Sequence, residues 1–204
     1  FRKRLKTRGQ GKSCALKKVQ HGALLWPDSQ MRARWALPVG IGDGSEGHRV
    51  EEDIVDILIV NGPNLGFLGV RQPEIYGSQG MDAVPALVAE LMGSYASAVR
   101  LSFFQSNSEG GLIDRLEQAW KEHVDGIVIN PGAYTHTSLA VADCLAWIGI
   151  PYVEVHLSNV AGRPESIRHT SLTAPRAVGT LAGFGILGYA LAVRALWQMR
   201  QTAS

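Results

Sequence analysis

Ile57-Leu58-Ile59-Val60-Asn61-Gly62-Pro63-Asn64 decides the fold: four apolar residues without a polar break, stopped by a turn-forming quartet. A strand with one buried face alternates apolar and polar residues, whereas a strand covered on both faces reads as a continuous apolar run. Working outward, the same unit recurs. Gly126-Ile127-Val128-Ile129 leads into Asn130-Pro131-Gly132, and Tyr152-Val153-Glu154-Val155 leads into His156-Leu157-Ser158-Asn159. Val99 to Gln105 reads as a further strand, and Gly179 to Gly183 as a fifth. Helical periods lie between them: Met81 to Ala98 with Val84, Leu87, Val88 and Leu91, Gly110 to Glu122 with Leu112, Ile113, Leu116 and Ala119, His136 to Trp147, and a last helix to about Met199. Strands alternating with helices predict an α/β domain at 54–200, a doubly wound five-stranded parallel sheet with helices on both faces.

Length and composition agree with one such domain. A chain of 204 residues, 46% hydrophobic and 19% charged, is long enough for one buried core and too short for two ordinary domains. The two cysteines, Cys14 and Cys144, have neither zinc-site spacing nor the pattern of a disulfide framework, which points to a reducing compartment and a cytoplasmic location. No apolar run reaches the roughly 18 residues of a membrane helix, since Val178 to Leu196 is broken by four glycines and Arg194. A membrane partner is not expected.

The net charge of +2 hides a split, because residues 1–50 hold 11 Lys and Arg against 3 Asp and Glu. Residues 1–53 read as a basic extension that cannot bury much of itself. Three readings of it stay open: a solvated, mostly disordered tail, an organelle-targeting sequence, and a nucleic-acid arm. Composition favours the first, so nucleic acid is not expected as a partner.

In a doubly wound sheet the ligand sits beyond the carboxyl ends of the strands. Three loops there carry the polar chemistry: Asn61 to Gly77, Asn130 to Ser138, and His156 to Asn159. Glu154 and His156 are alternate strand residues and share a face, where a buried carboxylate needs a partner. The loops lack a catalytic-metal ligand cluster, a Gly-x-Gly-x-x-Gly phosphate turn and a Gly-x-Ser-x-Gly elbow. Acid–base work remains. A tyrosine has an ordinary pKa of about 10, so Tyr76 serves as a base only with a cation nearby, and Arg71 shares its loop. With His156 as the acid, oriented by Glu154, the set suits proton abstraction beside a carbonyl and loss of water.

The motifs Asn61-Gly62-Pro63-Asn64-Leu65, Arg71 through Tyr76-Gly77, Gln105-Ser106-Asn107, Asn130-Pro131-Gly132-Ala133-Tyr134-Thr135-His136-Thr137-Ser138, Glu154-Val155-His156-Leu157-Ser158-Asn159, and Gly183-Phe184-Gly185 with Gly188-Tyr189, in this order, resemble type II 3-dehydroquinate dehydratase. The resemblance implies a flavodoxin-like fold, a homododecamer of trimers, no cofactor and no metal. It further implies anti elimination of water from 3-dehydroquinate through an enolate, in the shikimate pathway or in quinate breakdown. By the same resemblance, Tyr76 is the base, Arg71 lowers its pKa, Asn64 holds the water that stabilises the enolate oxygen, and His156 is the acid held by Glu154. Asn130 and His136 bind ring hydroxyls, Leu157 and Ser158 cradle the carboxylate, and Asp143 reaches a neighbouring subunit's site. Arg168 matches the remaining hydroxyl binder, although the interval from Arg163 is one residue longer than in the family, which leaves Arg163 as the alternative. An FMN-binding module and an inactive protein on the same scaffold are the competing readings.

Overall fold

The computed structural model describes residues 54–68 and 80–203. The basic extension, together with Arg71 and Tyr76, lies outside the described residues.

Five parallel strands, β1 (Val55–Asn61), β2 (Val99–Gln105), β3 (Gly126–Asn130), β4 (Tyr152–His156) and β5 (Gly179–Ala182), form one sheet in the order β2-β1-β3-β4-β5. The strand order reverses between β1 and β3, whose last residues Asn61 and Asn130 are paired in register. Every residue of β3 and β4 is buried, as is every residue of β1 except Asp56. The continuous apolar runs thus mark the central strands, while the half-exposed β2 lies at an edge.

Alternation along β1 divides the interior into two cores. Ile57 and Ile59 pack with Val84, Val88 and Met92 of helix α1 (Val84–Met92) and with Val193, Leu196 and Trp197 of α5 (Leu187–Ala203). Leu58 and Val60 face the opposite way, onto Leu112 and Leu116 of α2 (Glu109–Lys121) and Val141 and Leu145 of α4 (Leu139–Ile148), the short α3 (Tyr134–Thr137) intervening. Replacing a fully buried leucine such as Leu58 by alanine costs about 2–5 kcal/mol, so these runs carry much of the stability. Among the described residues no helix is long and apolar enough to cross a membrane.

Two helices differ from the expectation. The stretch read as one helix from Met81 to Ala98 is α-helical only over α1, with 3-10 turns before and after it. Gly93, at φ +57, ends the regular part, and Leu91 beyond the buried stripe is 40% exposed. The expected helix at His136 to Trp147 is broken at Ser138, whose extended backbone separates α3 from α4 and whose Oγ accepts the Val141 N–H at 2.9 Å as the α4 cap. His136 therefore sits on a single turn rather than on a long helix.

Candidate active site

The carboxyl ends of β1, β3 and β4 open into a cleft of about 310 Å³, lined among others by Asn64, Asn130, His136, His156, Leu157, Ser158, Arg163 and Arg168. Two of its walls cross at very short range. The Gly62 N–H donates to the Asn130 carbonyl at 2.8 Å, and a Cβ on Gly62 would stand 2.2 Å from the Pro131 oxygen. Gly132, at φ +62, completes the crossing against Pro63. The Asn-Gly-Pro-Asn quartet is therefore more than a turn: its glycine lets two loops of the cleft touch.

Asn64 is held at φ +66, a left-handed conformation that asparagine tolerates better than most residues. Its N–H donates to Asn107 Oδ1 at 2.9 Å. Gln105 Nε2 donates to the same oxygen and to the Gly62 carbonyl, and the Tyr134 hydroxyl donates to the Asn107 carbonyl at 3.1 Å. The Gln105-Ser106-Asn107 motif thus braces the loop that presents Asn64 to the cleft.

At the end of β4, Glu154 and His156 are 1% and 6% exposed, and His156 Nε2 lies 2.7 Å from Glu154 Oε1. The period-two expectation is met, and the bond leaves Nδ1 as the nitrogen available to a ligand. Glu154 Oε2 accepts from Ser171 Oγ at 2.9 Å and from Thr173 Oγ1. Burial alone would push this carboxyl up, but the bonds from His156, Thr173 and Ser171 and the attraction of the imidazole together hold it below the ordinary carboxylate value. Tyr152, whose hydroxyl donates to the Thr173 carbonyl, is itself raised by burial and by the Glu154 charge, so it stays a neutral donor. Ser171 and Thr173 escaped the sequence reading: they stand 17 and 19 residues from Glu154, in a segment with no strand or helix period.

The remaining candidates divide by position. Asn130 is 3% exposed; its Oδ1 accepts from the Gly132 N–H at 3.2 Å and its Nδ2 donates to the Tyr189 hydroxyl at 3.0 Å. His136 Nδ1 donates to the Thr170 carbonyl at 2.7 Å, which turns Nε2 into the acceptor of the neutral ring. Arg163 Nη2 donates to Ser158 Oγ at 2.8 Å, and the His169 ring donates to the Arg163 carbonyl at 2.7 Å. Arg168 Nε is 3.5 Å from Glu165 Oε2, a half-exposed pair. Gly183 and Gly185 donate backbone N–H groups to the carbonyls of His156 and Leu157 at 3.1 and 2.9 Å, which places the Gly-Phe-Gly motif behind the β4 loop. Asp143 is exposed on α4 and does not line this chain's cleft.

The family model described as Dehydroquinase class II matches residues 55–197. The chain is 47% identical over 144 residues to a 3-dehydroquinate dehydratase of Lachnoclostridium phytofermentans, covering 70% of this chain and 97% of that protein. It is 50% identical over 140 residues to the catabolic 3-dehydroquinase 1 of Neosartorya fischeri, covering 67% and 89%. Among solved structures, the type II dehydroquinase of Butyrivibrio crossotus is similar with a TM-score of 0.64 and 43% identity, over 70% of this chain and 97% of that one. The shared fold is the flavodoxin-like five-stranded α/β sheet.

Proposed function

We propose that this chain, which belongs to the class II dehydroquinase family, dehydrates 3-dehydroquinate to 3-dehydroshikimate at the rim of β1, β3 and β4. The activity is that of a hydro-lyase, shared with relatives from bacteria and, under a catabolic name, from fungi. The buried Glu154–His156 pair at 2.7 Å carries the reading, because it supplies an oriented imidazole in a cleft that also holds the polar side chains of Asn64, Asn130, His136, Ser158 and Arg168.

Tyr76, as a phenolate stabilised by Arg71, takes the C2 proton, and the electron pair moves onto the C3 oxygen as an enolate. A water held by Asn64 stabilises that charge, an oxyanion-type role. The enolate then reforms the ketone, the C1–C2 double bond forms, and the C1–O bond breaks as His156 supplies the proton that turns the hydroxyl into water. Glu154 offsets the charge on the ring while it holds that proton. The substrate carboxylate rests on Ser158 and the backbone N–H groups of Leu157 and Ser158, and the ring hydroxyls on Asn130, His136 and Arg168. No cofactor enters this chemistry. In the assembled enzyme, a dodecamer of trimers, Asp143 reaches the neighbouring copy's site, and the activity belongs to the cytoplasm.

The deciding experiment adds 3-dehydroquinate to the purified chain and follows the ultraviolet absorbance of the conjugated enone product. A folded chain that gives no rise in absorbance sinks the reading.

A further inference from the structure

Tyr189, near the start of α5, is fully buried, and its hydroxyl lies between the side chains of Asn61 and Asn130, the register-paired last residues of β1 and β3. The polarity of this contact is forced. The Gly132 N–H can only donate, so the oxygen of the Asn130 amide must be the atom that faces it at 3.2 Å. The Asn130 Nδ2 is then the atom turned to Tyr189, and the tyrosine oxygen must accept at 3.0 Å. Its single proton is left for Asn61 Oδ1, at 2.6 Å. Burial raises the Tyr189 pKa, which keeps that proton in place across the working range.

The chain of bonds thus runs one way, from Gly132 through Asn130 and Tyr189 to Asn61, across the point where strand order reverses. A flipped Asn130 amide would set two N–H groups against each other at Gly132 and leave the single Tyr189 proton to serve two acceptors, Asn130 and Asn61. Only Asn130 of the three side chains lines the cleft. What a ligand meets there, the second hydrogen on Nδ2 and the second lone pair on Oδ1, is therefore held in part by Tyr189 and Asn61, side chains that do not line the cleft.

We infer that Tyr189, with Asn61, is a positioning residue for substrate binding: Gly132 sets the sense of the Asn130 amide, and the Tyr189 hydroxyl, accepting from Nδ2, anchors its far side for the ring hydroxyls of 3-dehydroquinate. This rests on the dehydratase reading and on Asn130 as a binder. Replacing the hydroxyl by hydrogen leaves Nδ2 without its acceptor and Asn61 without its donor, so the amide is held through Oδ1 by the Gly132 N–H and has lost its second anchor.

The test is steady-state kinetics on the full chain with 3-dehydroquinate, with Tm measured alongside. Tyr189→Phe should raise KM about tenfold, the equivalent of ~1.4 kcal/mol for one well-placed hydrogen bond, and change kcat by less than about threefold. The double variant Tyr189→Phe/Asn130→Ala should bind no worse than Asn130→Ala alone, because the tyrosine acts through the asparagine. Asn61→Ala, which releases the Tyr189 proton without touching the cleft, should reproduce the KM rise and serves if Tyr189→Phe does not fold. A lowered Tm with KM at the parent value in Tyr189→Phe or Asn61→Ala, or KM effects that add in the double variant, would overturn the positioning role. A folded parent that does not turn over 3-dehydroquinate would instead sink the dehydratase reading, and this role with it.

Discussion

Nε2 of His156 and Oε1 of Glu154 are 2.7 Å apart at the end of β4, and the second Glu154 oxygen is taken by Ser171 and Thr173. Both carboxylate oxygens are therefore engaged, and the carboxylate holds the imidazole by Nε2. A hydrogen bond to a charged group is worth about 1.5–3 kcal/mol. Glu154→Gln keeps the shape and removes the charge, so kcat should fall roughly tenfold to a hundredfold with a smaller change in KM. Steady-state rates check this, and a kcat at the parent value would remove Glu154 as the partner of the acid.

The same bonds make the fold sensitive to acid. Because the folded Glu154 carboxyl lies below its unfolded value of about 4.3, it stabilises the protein at every pH above that value, and the contribution is lost as pH falls through the folded pKa. Thr173→Val removes one donor and moves the folded pKa up, so the variant should lose stability at a higher pH than the parent. Urea unfolding between neutral and acidic pH measures this. An acid limb that coincides in the two proteins would refute the contribution of Thr173.

At the loop crossing, Gly62→Ala places a carbon where the Pro131 oxygen already stands, 2.2 Å away, and backbone rather than a flexible side chain must yield. Overpacking of this kind costs about 1–3 kcal/mol or more. The denaturant midpoint should fall with its slope unchanged, and KM should rise as Asn64 and Asn130 separate. A variant with parent stability would show that the crossing relaxes freely.

Arg163 already donates to Ser158 at 2.8 Å, whereas the Arg168 side chain meets, among the described residues, the exposed Glu165 in a looser pair at 3.5 Å. Arg168→Ala should therefore raise KM more, by about tenfold or beyond, and Arg163→Ala less, through its hold on the carboxylate cradle. Kinetics with 3-dehydroquinate separates them, and the reverse order would make Arg163 the hydroxyl binder.

Tyr76→Phe should lose turnover by about 10²–10⁴-fold, the usual contribution of a general base, while calorimetry still detects substrate binding. Turnover near the parent level would remove Tyr76 from the role. Arg71→Ala should slow the reaction and shift its pH optimum, and an optimum that stays in place would argue against tuning of the tyrosine.

The apolar run at Ile57 to Val60 and the similar runs at the other central strands determined these elements, because a strand covered on both faces is built mostly of apolar residues and a polar one such as Glu154 must find partners. The pairing of Glu154 with His156 was equally legible, since residues two apart on a strand point the same way. Tertiary structure alone decided the rest. Ser171 and Thr173 reach Glu154 from 17 and 19 residues away, and Tyr189 reaches Asn130 and Asn61 from 59 and 128. Periodicity records what neighbours along one element share, whereas these bonds join elements brought together only when both faces of the sheet are covered. The family resemblance marked Asn130 and Tyr189 separately. That the Asn130 Nδ2 faces the Tyr189 oxygen followed from Gly132, whose N–H can only donate.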